Sequence, residues 1–185
     1  HADSLVLNPH KWLFTPFDLS VLYCRRMDVL RQAFSLTPEY LKTSEGEAGV
    51  RNLMDTGIQL GRRFRALKLW MILRHFGADG LRAHLAEHMR LARTFAGWVD
   101  ASARFERVAP VPFSVVCFRL RDSDGPDADA VHARILDAVN ASGEVFLSHT
   151  RLDGRYVFRL AIGNLQTTER HVARAWELLN LAART

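Results

Sequence analysis

Leu5-Val6-Leu7 followed by Asn8-Pro9-His10-Lys11-Trp12 is the stretch on which the fold turns. Leu5 to Leu7 is a short apolar run, as in a buried strand. Asn8-Pro9 stops it, because the residue before proline is held extended and Pro9 offers no N–H to a ladder. His10 and Lys11 therefore stand just past a strand end, where ligand sites of α/β sheets gather. A lysine held there can lose solvation, shift its pKa down and attack a carbonyl to give a Schiff base. The same spacing also describes an exposed loop lysine, a turn asparagine and a satisfied polar histidine, since short motifs carry little weight alone.

Working outward, composition sets the bounds. The 185 residues leave room for a domain with a real core, and 48% of them are hydrophobic. No run approaches the ~20 apolar residues of a membrane span, so no membrane partner is expected. Cys24 and Cys117 make no disulfide or metal framework and read as core or near-core thiols of a reducing compartment. The net charge is +5 and the pI about 9.8. The arginines are spread along amphipathic elements without interleaved aromatics, which argues against nucleic-acid binding.

Along the chain, Ala2 to Tyr23 predicts two strands joined by a Pro9–Asp18 loop, and Arg25 to Ala33 a short helical connector. From Phe34 to Thr56 no apolar period survives; a stretch of that length is usually functional or disordered. Leu60, Phe64, Leu67 and Met71 repeat at helical spacing, widened by Trp70, Leu73 and Phe76, so a helix from Leu60 buried on more than one side is expected. Gly77 stops it, and Asp79 caps a second helix facing inward through Leu81, Leu85, Met89, Ala92, Phe95 and Val99. Beyond Ser102 the period falls to two. Ser114 to Leu120, Val145 to Leu147 and Tyr156 to Ile162 predict strands, with Asp153-Gly154 as a hairpin turn. Val131, Ile135 and Val139 mark one further helix, and Thr167 caps the last, with Val172, Trp176 and Leu179 inward. Helices on an antiparallel sheet, an α+β layer, follow for this part.

Asp3-Ser4 with Asn8-Pro9-His10-Lys11-Trp12 resembles the cofactor-lysine segment of the group II pyridoxal-phosphate decarboxylases, the aromatic-L-amino-acid decarboxylases in particular. The likeness continues through Phe17-Asp18, Pro38-Glu39-Tyr40-Leu41 and Leu60-Gly61-Arg62-Arg63-Phe64-Arg65-Ala66-Leu67-Lys68. It closes with Arg159-Leu160-Ala161-Ile162 and Ala175-Trp176-Glu177, in family order over almost the whole chain. Residue 1 is His and the family's earlier segments are absent, so the C-terminal part of a longer protein is expected.

The resemblance implies an α/β, fold-type I architecture. Residues 1–59 would end the large cofactor domain, with a mobile catalytic loop at about 34–56, and residues 60–185 would be a long helix and a small α+β domain. It implies decarboxylation of an aromatic L-amino acid to the arylalkylamine and carbon dioxide by a cytoplasmic homodimer. Lys11 would hold pyridoxal 5′-phosphate, with Asn8 and His10 at its phosphate; an amide or imidazole N–H suits that role. Tyr40 would close over the substrate and return a proton to carbon. Phe at that place is found in aldehyde synthases, the alternative that Tyr40 argues against. Leu60 and Gly61 would lie beside the substrate ring, reaching the pocket from the partner subunit. Gly there resembles enzymes taking bulky catechol or indole rings; its other reading is close packing. Arg62, Arg63 and Arg65 read as structural. The family's carboxylate for the pyridine nitrogen precedes His1, so residues 1–185 alone are expected to be inactive.

His84-Leu85-Ala86-Glu87-His88 also matches the H-x-x-E-H pattern of inverted zinc peptidases. Its histidines stand one helical turn apart and could bind zinc with Glu87 as base. A third ligand is not apparent and arginines flank the pair, so no metal is expected and zinc hydrolysis stays a second alternative. A non-catalytic packing module is a third.

Overall fold

The computed structural model describes residues 1–35, 53–123, 125 and 127–184. They form two compact units, His1–Gly77 and Ala78–Thr185. The helical run after Arg65 reaches Gly77 before its backbone breaks.

In the first unit, strands β1 (Ser4–Leu7) and β2 (Val21–Cys24) pair antiparallel, from Ser4 opposite Cys24 to Leu7 opposite Val21. The expected loop between them begins with a helical turn, α1 (Pro9–Trp12). Proline suits that first position, since its missing N–H would be unsatisfied there and its φ is already helical. Helix α2 covers Met27–Phe34, and Leu53–Thr56 forms a 3₁₀ turn.

Two expectations fail in this unit. The Leu5–Leu7 strand is exposed, with Val6 at 60%, because the two-stranded ribbon is flanked by no further strand among the described residues. The long helix, α3 (Ala66–Asp100), starts at Ala66 and not at Leu60. Glycine at 61 disfavours the helix, and the Arg62 guanidinium turns back to the 3₁₀ turn, donating to Leu53 O at 3.1 Å and Thr56 Oγ1 at 3.4 Å. Most of the apolar face predicted there is also uncovered, from 38% exposure at Leu67 to 75% at Phe64, while Phe76 is half-buried.

The break in α3 comes at Gly77, with φ 65° and ψ 176°. This is a left-handed φ that glycine adopts without a Cβ penalty. Asp79 pairs with Arg82. In the second unit the remainder of α3 buries Leu81, His88, Leu91, Ala92, Phe95, Ala96 and Val99. Strands β3 (Phe105–Arg107), β4 (Val115–Leu120), β5 (Ser148–Leu152) and β6 (Arg155–Ala161) form an antiparallel sheet ordered β3-β4-β6-β5. Helices α4 (Ala128–Ala141) and α5 (Glu169–Ala182) complete the layer. Phe118 is fully buried, and its ring lies 5.2 Å from Phe95, 5.8 Å from Phe105 and 5.4 Å from Phe158. The α+β expectation holds.

Two local corrections belong to this unit. Val145 to Leu147 is not a strand; β5 begins at Ser148 and is polar on one face, as an edge strand can be. The last helix is capped by Thr168 rather than Thr167. The Thr168 N–H donates to His171 Nδ1 at 3.0 Å, so an imidazole closes the capping box where Glu or Gln is usual.

Candidate active site

The turn after β1 brings Asn8, His10 and Lys11 onto one short stretch of backbone. Pro9 is buried and anchors it; Lys11 N donates to Asn8 O at 2.9 Å, and Thr15 N to Pro9 O at 3.2 Å. Asn8 Oδ1 accepts from Ser20 Oγ at 2.5 Å, which assigns the amide so that its NH₂ donors are left over. His10 Nδ1 lies 3.0 Å from Leu19 N and 2.5 Å from Leu19 O. In the tautomer in which Nδ1 accepts the Leu19 N–H, Nε2 carries the ring proton and is the donor left for a ligand. Lys11 is exposed, and its Nζ meets no acceptor among the described residues.

The chain has three lysines, Lys11, Lys42 and Lys68. Lys42 lies outside the described residues. Lys68 is occupied: its Nζ donates to Pro16 O and Asp18 O, both at 2.9 Å. Arg65 forks onto Asp18, Nε to Oδ1 and the second nitrogen to Oδ2, each at 3.2 Å. That hydrogen-bonded guanidinium holds the Asp18 carboxyl below the usual carboxylate range. Arg65, expected to be structural, thus pairs with an acid; the role of Lys68 was missed. Contacts spanning about fifty residues leave no local sequence signal.

Leu60 and Gly61 line an open cleft of about 710 Å³ with Phe17, Asp18, Arg63 and Arg65. A Cβ built on Gly61 meets nothing within 4 Å among the described residues, so packing against these residues does not require glycine there. Tyr40 lies outside the described residues.

The relationship to known proteins is direct. Residues 1–121 match the family model described as the pyridoxal-dependent decarboxylase conserved domain. The chain belongs to the pyridoxal-dependent decarboxylase family. It is 45% identical over 181 residues to tryptophan decarboxylase 2 of Oryza sativa subsp. japonica, covering 96% of this chain and 36% of that protein. Phenylacetaldehyde synthase of Arabidopsis thaliana is 43% identical over 182 residues, covering 96% and 37%. The crystal structure of Oryza sativa TDC with PLP and tryptamine superposes with a TM-score of 0.90 at 38% identity, covering 98% of this chain and 39% of that one. The chain thus spans a little over a third of the length of these relatives. The α/β, fold-type I expectation is met, as is the pyridoxal cofactor class of the family.

Within this decarboxylase fold, the H-x-x-E-H sequence is engaged otherwise. His88 is 2% exposed, with Nε2 3.1 Å from Asn164 O, and burial pushes its pKa down. Arg90 forks onto Glu87 at 2.8 and 2.9 Å and reaches Glu169 at 2.9 Å. The paired guanidinium keeps Glu87 ionised and tied down. A zinc ligand and a general base would both have to leave these partners. Among the described residues no group of three metal-ligating side chains occurs, and no helix is long and apolar enough to cross a membrane.

Proposed function

We propose that the protein carrying this chain decarboxylates an aromatic L-amino acid to the arylalkylamine and carbon dioxide, with pyridoxal 5′-phosphate bound at Lys11. The observation that carries this is the division of labour on the α1 turn. Asn8 Oδ1 and His10 Nδ1 are taken by Ser20 and Leu19, which leaves N–H donors and an unengaged primary amine side by side. Such a set suits a ligand that is both an anion and an aldehyde. Asn8 Nδ2 and, with Nδ1 accepting from Leu19, His10 Nε2 would donate to the phosphate, and the Lys11 amine would hold the aldehyde carbon. Bound there, the cofactor supplies an electron sink for the pair left on the α-carbon as carbon dioxide departs. The Tyr40 phenol returns a proton to that carbon once water is excluded. Leu60 and Gly61 flank the aromatic ring, in a homodimer whose partner subunit completes the pocket. The relatives' names, which include tryptophan decarboxylase, support an aromatic substrate; the cytoplasmic location is part of the proposal.

Aldehyde synthesis is the second reading, favoured by the likeness to phenylacetaldehyde synthase. Tyr40 in place of Phe argues for the amine. Product analysis decides: equimolar amine and carbon dioxide without peroxide supports decarboxylation, and aldehyde with ammonia and peroxide contradicts it.

A further inference from the structure

Two side chains at the start of α3 bear on His10 through the turn that holds it. The imidazole of His10 touches two residues of that turn: the Phe17 ring, edge-on at 5.0 Å, and the Leu19 backbone through Nδ1. Asp18, between them, is gripped at its carboxylate and its carbonyl, by Arg65 just before α3 and by Lys68 of that helix. Arg65 takes its carboxylate, and Lys68 takes its carbonyl together with that of Pro16. These contacts put two cations and four hydrogen bonds on Pro16 and Asp18. A surface ion pair made for stability alone would not need the backbone carbonyls as well, and exposed pairs contribute little.

We propose that Arg65 and Lys68 are positioning residues that set the orientation of His10 and thereby its hold on the cofactor's phosphate. The proposal rests on the assignment of His10 to the phosphate. The chain of contact is short: α3 fixes residues 16–18, and residues 17 and 19 fix the ring. Loosening the clamp lets the Phe17–Leu19 segment shift, and Nε2 loses its aim without any change at Lys11. Partners that orient a ligand-holding histidine are typically worth roughly 10–100-fold in ligand affinity, the range seen at metal sites.

The test compares binding of pyridoxal 5′-phosphate and of unphosphorylated pyridoxal to the apo form of the full-length enzyme. The proteins are wild type, Lys68→Met, Asp18→Asn, His10→Gln and the Lys68→Met/His10→Gln double variant. Asp18→Asn is the milder change, since it keeps both carbonyl bonds to Lys68. Lys68→Met is expected to lose about 10-fold or more for the phosphorylated cofactor and to bind pyridoxal as wild type does. Lys68→Arg should restore most of the loss. The double variant should be no worse than His10→Gln, as expected when two residues act through one contact. Equal losses for both ligands in Lys68→Met and Asp18→Asn, or additive losses in the double variant, would overturn the proposal and make the clamp purely structural. If His10→Gln itself fails to distinguish the two ligands, the phosphate assignment of His10 fails, and the proposal with it.

Discussion

Replacing Gly61 by serine separates a substrate-facing glycine from a packing one. A Cβ at this position meets no heavy atom of the described residues within 4 Å, and the residue lies in the irregular stretch before α3. The substitution should therefore leave the fold and the thermal midpoint of the chain nearly unchanged. Any large effect must come from what occupies the cleft shared with Leu60. An added hydroxymethyl beside the ring is a one-group change in a pocket, worth ~1–3 kcal/mol of discrimination, or ~10–200-fold. The indole of tryptophan should suffer more than the phenol of tyrosine. The assay is kcat/KM for both amino acids on the same preparation of the full-length enzyme, with the thermal midpoint measured in parallel. A selective loss for tryptophan at constant midpoint is the expected result. Equal losses for both substrates, or a lowered midpoint, would refute the assignment of Gly61 to the ring.

Two further outcomes are expected. Tyr40→Phe should slow amine formation by ~10²–10⁴, the worth of a well-placed general acid, and raise aldehyde, ammonia and peroxide; unchanged amine turnover would show that another group delivers the proton. His88 should make stability pH-dependent with a defined sign. Burial lowers its folded pKa, so its contribution is fully present above its ordinary value of 6.5 and is lost as pH falls through the lowered value, because the unfolded chain takes up the proton first. The urea midpoint of wild type should drop between pH 7.5 and pH 5.5 by more than that of His88→Asn, and equal drops would contradict this.

Local chemistry was legible in the sequence where neighbours in the chain decide the structure. Asp153 and Gly154 form the hairpin turn with φ of 50° and 76°, the positive values that this pair tolerates. Gly77 breaks the helix for the same reason. That Asn8, His10 and Lys11 share one turn was legible because they are nearly contiguous. What depends on distant partners was not. β5 is defined by pairing with β6, and the polar Ser148–Leu152 gives a weaker signal than the apolar Val145–Leu147 beside it. The onset of α3 depends on Arg62 reaching the Leu53–Thr56 turn. The grip of Lys68 on Asp18 crosses fifty residues. Exposure of Val6 and Phe64 runs against their apolar patterns because periodicity states that a face is to be covered, not by what.

The central claim is that Lys11 carries the cofactor, and its chemistry allows a direct measurement. Borohydride reduces the lysine–cofactor double bond to a stable secondary amine, and peptide mapping of the reduced holoenzyme locates it. Lys68 Nζ is committed to two carbonyls, whereas Lys11 Nζ meets no acceptor among the described residues. The pyridoxyl group is expected on the peptide containing Asn8-Pro9-His10-Lys11 and absent from the peptides containing Lys42 and Lys68; a label on either of these, with Lys11 unmodified, would contradict the account.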